Sequence, residues 1–582
     1  MPQSIKPTFK ELNEEEYNKL NEFKKTVINL LENDKFSDIN NLDLQSIKTL
    51  NSLFYEIEKH LKDKKINLPE TIDLNNWDVS NIIDLGSIFK NTNIKYLISS
   101  WNTSNVKNMF AMFESTQNID DISNWNTENV TNMSMMFAKT NLNFNISEWN
   151  TSNVEYMEAM FYIAEEFNGD ISKWDTTKVK SMKGMFHTAT KFDVNIDTKL
   201  LDNGKTAWDT SNVINMEAMF ANAKSFWNNE LNWNTINVLD MSAMFLATDS
   251  ICNINLNFNT SNVFTMKSMF ERSSFNGNIS HWDTSNVKEM EGMFHQAKSF
   301  QSDISNWNTS NVTNMDAMFN QAESFDGDIN TKIIQDNDGN ELYTAWDTSN
   351  VTNMNDMFYK AKAFQGDISN WNTSNVTGMN QMFLNSEKFN SDISSWNTSN
   401  VRTMKLMFYK ASIFNSDILN WNTSNVTNMF GMFSDATLFN RNLNWNTSKV
   451  KDMTEMFGEA KSFDGDISNW NTSNVTNMQG MFSNAISFKC NNLNWNTSNV
   501  KHMTNMFFNA QSFEGNISRW DTSNVIDMNH MFVGSIKFNC NISDWNTSNV
   551  INMNNMFNLA KSFNSDISKW NTSKVKNMEG MF

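Results

Sequence analysis

The sequence predicts an α/β repeat solenoid of about twenty coils, each with a short strand and a short helical turn, behind a small α-helical cap. Three observations predict it. Nearly the same words return every 25 residues or so between Trp77 and Phe582. The composition sets 40 Met, 45 Phe and 20 Trp against 3 Pro and 17 Gly, which argues against disorder and against conventional tight turns. The segment before Trp77 lacks the repeated words and carries helical spacing instead.

The repeat is readable column by column. Trp stands at 77, 101, 125, 149 and onward to 570, with Phe258 filling the one gap. Asn or Asp follows it in every unit, then Thr in all but one, where Val79 stands. Five residues after the Trp comes Val, or Ile82 in the first unit. Eight and eleven after it stand Met, replaced only by Leu85 and Ile88, and twelve after it always Phe. Met404, Met407, Phe408 and Ala411 thus sit at i, i+3, i+4 and i+7, which predicts one buried face of a short helix or 3₁₀ turn. The Asp-Ile-Ser-x-Trp link predicts one rung of a parallel sheet. The Val-x-x-Met segment, as at Val426 to Met429, is open between strand and helix.

Ahead of the repeat, Thr8 and Glu11 predict a capping box. Leu12, Tyr17, Leu20, Phe23, Val27, Leu30 and Leu31 then predict one amphipathic helix, and a second is expected from about Leu44 to Lys64. The domain reading is residues 1–70 as a helical cap over the first coil, or an adaptor for a partner, and 71–582 as solenoid.

Composition excludes several functions. A net charge of −19 disfavours nucleic acid and anionic membrane surfaces. No run of about 20 apolar residues exists to span a membrane, and the N-terminus has no apolar signal-peptide core. On that reading the protein is cytoplasmic if this N-terminus is native. Cys252, Cys490 and Cys540 make no disulfide framework. The Met columns read as core rather than a soft-metal site, because every coil carries them and the six His are scattered. The Asn, Thr, Ser and Asn after each Trp predict side-chain ladders that bond to one another and to turn backbone. Glycosylation of Asn-Thr-Ser and an ice-binding Thr face compete weakly with that reading. Twenty near-identical coils supply no unique constellation for catalysis, so no catalytic residue, cofactor or metal ligand is assigned.

Two insertions break the period, near 193–207 and 326–345. Asn203-Gly204 and Asp338-Gly339 between apolar runs are hairpin signals. Both hairpins are expected on the same edge, about 24 Å apart. Insertions in repeat proteins map to one face, often the binding face. The candidate partner contacts are therefore Lys199, Asn203, Lys205, Lys332, Asp336, Asp338 and Tyr343. The last repeat stops at Phe582 without a cap, which predicts end-to-end self-association through that coil.

The word Trp-(Asn/Asp)-Thr-Ser-Asn-Val-Thr-Asn-Met-x-x-Met-Phe, as at Trp307 to Phe319, and the Phe-x-x-Asp-Ile-Ser-x-Trp link at Phe364 to Trp371 carry a family resemblance. The units resemble those of BspA-like leucine-rich-repeat surface proteins, also described as a mycoplasma lipoprotein-type repeat. The resemblance implies a right-handed, leucine-rich-repeat-like solenoid and a role in adhesion or host-protein binding at a cell or particle surface. The expected function is a non-enzymatic protein binder. The alternative is an intracellular scaffold whose N-terminal helices recruit a partner.

Overall fold

The computed structural model describes residues 12–141, 145–202, 204–226, 230–490 and 492–582. The chain divides into two compact units, residues 1–286 and 287–582, each built from the same coil.

The coil that begins at Trp396, in the second unit, shows how the sequence makes it. Its Met-x-x-Met-Phe stretch is not a helix. The amides of Met404, Leu406, Phe408 and Lys410 donate to carbonyls of the next coil, at Asn428, Phe430, Met432 and Ser434, over 2.8–3.1 Å. The intervening amides of Met407, Tyr409 and Ala411 close turns onto Met404, Leu406 and Phe408. Leu406 and Lys410 take φ of 55° and 58°, the left-handed third residue of a type II turn. The same two positions, ten and fourteen after the Trp, are left-handed from Ser87 and Asn91 through His530 and Gly534. The predicted helical turn is therefore corrected to a run of turns. Successive turns also bring the chain back to one side, so Met404, Met407, Phe408 and Ala411 are all buried.

The rung of the parallel ladder lies in the Val-x-x-Met segment. Thr403 bridges Gly378 on one side and Asn428 on the other, and the series continues to Asn577; in the first unit it runs from Thr49 and Asp84 to Thr265. The Asp-Ile-Ser link, expected to be the rung, is a turn instead. Its Asp accepts the amide two residues on, as Asp392 does from Ser394 at 3.0 Å and Asp466 from Ser468 at 2.9 Å. These bonds hold both carboxyls below their usual range. Where two consecutive links read Leu-Asn-aromatic, strands do pair: β5 (Glu230–Leu231) lies parallel to β6 (Asn255–Leu256).

The turn after each Trp is polar but not a ladder of side chains bonding to one another. The Thr398 hydroxyl donates to the Asn422 carbonyl of the next coil at 3.1 Å, and Asn400 Nδ2 to the Ser374 carbonyl of the previous one at 2.7 Å. In the first unit Thr127 and Asn153 do the same. These Thr are buried with their hydroxyls committed, which overturns the ice-binding alternative. The indole of Trp421 donates to the Ile393 carbonyl of the coil before at 3.1 Å, as that of Trp149 does to Ile122 at 3.2 Å. These buried Thr hydroxyls and Trp indoles are thus satisfied by an adjoining coil.

Inside the coils the aromatic columns stack. Trp396 and Trp421 lie 6.4 Å apart at 1°, Phe408 and Phe433 5.6 Å, and Phe414 and Phe439 5.9 Å. Offset stacking of large rings adds to the area they bury. The Met side chains between them are fully buried, where a flexible thioether fills gaps beside aromatic faces.

The N-terminal region imitates a coil. Helix α1 (Glu14–Glu32) begins with Asn13 and Glu16 bonding to each other's amides; the predicted Thr8–Glu11 box lies outside the described residues. α1 buries Leu20, Val27 and Leu31, while Tyr17, expected on that face, is 40% exposed. After α2 (Phe36–Ile39), the second long helix is shorter than expected: α3 spans Leu53–Asp63. The segment before it, Ile47-Lys48-Thr49-Leu50-Asn51-Ser52-Leu53-Phe54, is half a coil. Thr49 bridges Asp84, Ser52 takes the left-handed φ of 57°, and the Leu50 and Ser52 amides donate to Asp84 and Gly86. Phe54 stacks on Trp77, Phe89 and Tyr96, and the Ile39 carbonyl receives the Trp77 indole at 2.7 Å. Beside it, β1 (Thr71–Asp73) pairs in parallel with β2 (Lys95–Leu97).

Candidate partner-binding surface

The two insertions fold as hairpins at the same place in their coils. In the first unit β3 (Lys199–Leu200) pairs antiparallel with β4 (Thr206–Ala207). In the second, β7 (Lys332–Gln335) pairs with β8 (Glu341–Ala345) across a register shift at Ile334/Gln335. Both loops close alike: Leu201 N–H to Lys205 O at 2.8 Å, and Asp336 N–H to Asn340 O at 2.9 Å. Gly204 (φ 78°) and Gly339 (φ 85°) supply the left-handed residue that such three-residue loops require. At each base a threonine hydroxyl, Thr198 or Thr331, donates 2.7 Å to the carbonyl of the returning Trp208 or Trp346. These two are the Trp with positive φ, 51° and 48°.

The predicted contacts divide by what they touch. Lys199, Lys205 and Asp338 are exposed. Asp336 accepts the amides of Asp338 and Asn340 and the Asn340 side chain, which holds its carboxyl below the usual range and commits it to the turn. The Tyr343 hydroxyl donates to the Asn306 carbonyl at 2.7 Å and ties the hairpin to its unit, while Lys332 pairs with Asp328 at 2.9 Å. Asn203 lies outside the described residues. Missed by the sequence reading were the bare aliphatic side chains: Leu200 is 76% exposed, Ile333 56% and Leu342 59%. The alternation of Lys-Ile-Ile-Gln and Glu-Leu-Tyr-Thr was the signal for them, since alternate residues of a two-stranded ribbon face away from the body.

A second surface comes from the coils themselves. The framework columns are nearly identical from coil to coil, but the positions six, nine, ten, thirteen and fourteen after the Trp vary and share the face of the turn ladder. In the first unit the sixth position turns apolar over Ile214, Leu239 and Phe264. In the second unit the coils from Trp346 to Asn444 place Tyr359, Leu384 and Tyr409 in the thirteenth position and Phe430 in the ninth. Lys360 lies 5.0 Å from the Tyr359 ring centre, Lys410 5.2 Å from that of Tyr409, and Lys405 5.2 Å from that of Phe430. Some lysines cross to a carboxylate on an adjoining coil, as Lys362 does to Glu323 at 3.2 Å. Among the described residues Lys360, Arg402, Lys405 and Lys410 have no ion-pair partner. Leu406 reaches across to the next coil, where a Cβ on Gly431 would stand 2.5 Å from its Cδ2. Near-identity of the coils, which left no constellation for catalysis, also hides this surface. Reading each column for its departures, with Leu406 where half the coils hold Ala or Gly, was the signal that could have marked it.

Charge is otherwise spent on structure. Burial raises the thiols of Cys490 and Cys540, and both are free, as is Cys252. Burial, then the neighbouring Asp316, pushes the Asp356 carboxyl up to about 6, with His295 opposing. Among the described residues no helix is long and apolar enough to cross a membrane.

These features define the class: a repeat solenoid whose coils share one self-bonded framework and differ only in what they display. The chain belongs to the family described as Mycoplasma protein of unknown function, DUF285, whose profile matches residues 21–116, 63–141, 117–203, 197–272, 250–337, 332–444, 442–529 and 509–582. No curated protein matches the chain. Among solved structures, a TLR13–ssRNA13 complex is similar at 10% identity over 89% of this chain and 79% of that one, with a TM-score of 0.18. The ectodomain of the plant membrane receptor kinase GASSHO1/SCHENGEN3 from Arabidopsis thaliana, bound to CASPARIAN STRIP INTEGRITY FACTOR 2, is similar at 9% identity over 87% and 72%, with a TM-score of 0.20. Scores this low leave the fold to the coil geometry above.

Proposed function

We propose that the chain is a non-catalytic protein-binding repeat protein acting in adhesion at a surface, as the resemblance to BspA-like proteins implies. One observation carries the reading. The framework spends its Thr, Asn and Trp donors on adjoining coils, and among the side chains it leaves over are those of the turn-ladder face and of two hairpins with bare Leu200, Ile333 and Leu342. Unpartnered aliphatic side chains beside cations and aromatics are the composition of a protein-recognition surface.

A second reading, an intracellular scaffold, rests on α1. Thr26 and the edge of Phe23, whose ring packs on Trp77, border a groove of about 480 Å³ against Ser46 and Ile47, room for a partner's side chains. The test is surface protease treatment of intact native cells, followed by crosslinking and mass spectrometry of the full chain. Cleavage on intact cells with crosslinks from the hairpins or the turn-ladder face supports adhesion. Protection with crosslinks confined to α1 and residues 43–47 supports the scaffold. No protein crosslink from any of these surfaces refutes both.

A further inference from the structure

We propose that the face formed by Tyr359, Arg402, Lys405, Tyr409, Lys410 and Phe430 docks an acidic, extended polypeptide segment bearing aromatic side chains. The proposal rests on the protein-binding reading above and names the partner's chemistry.

Charge is the first ground. The chain carries a net charge of −19, yet this face sets four cations, Lys360, Arg402, Lys405 and Lys410, against Asp356 and Asp435. Cations left without a carboxylate in so acidic a chain are available to carboxylates from outside. Their arrangement is the second ground. Three of the four are parked over aromatic rings, which keeps their stems ordered beside apolar surface. The thirteenth-position side chains Tyr359 and Tyr409 are half-buried and flank the buried Leu384, making a ridge of two rings, about 10 Å apart at one strand spacing per coil. Among the described residues neither Tyr hydroxyl has a hydrogen-bond partner, whereas Tyr96 and Tyr343 donate at 2.8 and 2.7 Å. The ridge therefore offers ring faces and free hydroxyls together, the pairing that makes Tyr common at recognition sites.

The third ground is the side chain at the tenth position. Leu406 stands in a column where ten coils place Ala or Gly, and it reaches across to Gly431 of the next coil, a half-buried aliphatic group beside the cations. The segment must be extended, because the cations are spread over several coils rather than gathered at one point. Nucleic acid fits less well: its binding needs many phosphate contacts to a basic surface, and Asp356 and Asp435 interrupt this one.

The test uses the full chain on a biosensor with three probes: a random copolymer of Glu and Tyr, poly-Glu, and oligodeoxythymidylate. The copolymer should bind and weaken as salt is raised. Lys405→Glu with Lys410→Glu should weaken it about tenfold or more, given the modest value of each exposed charge pair. Tyr409→Ala should weaken the copolymer but leave poly-Glu unchanged, and Lys461→Glu, on another face, should change nothing. The two lysines are exposed, so their reversal leaves the core intact. Equal binding by all variants, preference for oligodeoxythymidylate, or no binding of the copolymer overturns the proposal. If native crosslinks then map to the hairpins, the protein-binding reading stands while this surface assignment falls.

Discussion

Replacing Trp421 by Phe tests the account of how one coil is tied to the next. The column already tolerates a phenyl ring: Phe258 stacks 6.3 Å from Trp233 and 6.2 Å from Trp282. Stacking should therefore survive at 421, and what is lost is the indole. Its N–H donates to the buried Ile393 carbonyl at 3.1 Å; that carbonyl keeps the Trp396 amide at 3.2 Å, so the lost bond costs about 0.5–1.5 kcal/mol. Losing three ring atoms from a 3% exposed side chain adds about 1–2 kcal/mol. Beneath Phe258 the flanking links pair as β5 and β6, a compensation the turn at Asp417 and Leu419 does not offer. A total near 2.5 kcal/mol corresponds to about seventyfold faster hydrogen exchange in the coils on either side of residue 421. Coils far from it should be unaffected, because solenoid stability is a sum of neighbour terms. Exchange within threefold of the parent protein would refute the view that the indole bond ties the coils together.

Other perturbations probe the remaining devices. Leu406→Gly should raise stability by about 1 kcal/mol by relieving a left-handed leucine, and Gly431→Ala should lower it by about 1–2 kcal/mol, both read from denaturant midpoints. Thr398→Val removes the donor to Asn422 O and should cost about 1–2 kcal/mol by the same assay, whereas Ser399→Ala should cost little. Asp356 is raised in the folded state, so its penalty is full above about pH 6 and fades as pH falls toward 3.8. Acidifying from pH 7 to 5 should then stabilise the second unit by about 1 kcal/mol after solvent screening, and Asp356→Asn should abolish that term in thermal melts at both pH values. Cys490 and Cys540, with raised thiols, should alkylate more slowly at pH 7 than a cysteine introduced at exposed Lys461, as followed by mass spectrometry.

The columns of Trp, Met and Phe made the repeat legible, because each names a buried position and recurs at one period. The hairpins were legible from two glycines that only a left-handed residue explains. The backbone between Met404 and Ala411 was not, since apolar spacing of i, i+3, i+4 and i+7 describes which side chains share a face, not how the chain returns to it. The corrective signal was the Ala or Gly that stands ten after the Trp in half of the coils. Ile47 to Phe54 hid for the same reason: Leu50, Leu53, Phe54, Ile57 and Leu61 satisfy a helical stripe, though only the last part is helix. Asp392 misled in another way, because a strand-like Asp-Ile-Ser word becomes a turn once the carboxylate captures its own amide. Of the candidate contacts, the charged hairpin residues were readable from position alone. Leu200 and the Tyr359 ridge were not, because exposure is set by what the neighbouring coil leaves uncovered.

The alternation of amide destinations has a mechanical consequence. Between neighbouring coils of a unit the bonds from Met404, Leu406, Phe408 and Lys410 all point along the direction in which coils are added. A pull in that direction loads them end-on and a few at a time, unlike a sheared sheet in which many break together. Each freed coil would release about 85 Å of extended chain, from 25 residues at the reach of a polypeptide. Under tension a unit of this protein would lengthen in equal steps at low force, a shock-absorbing tether rather than a stiff strut.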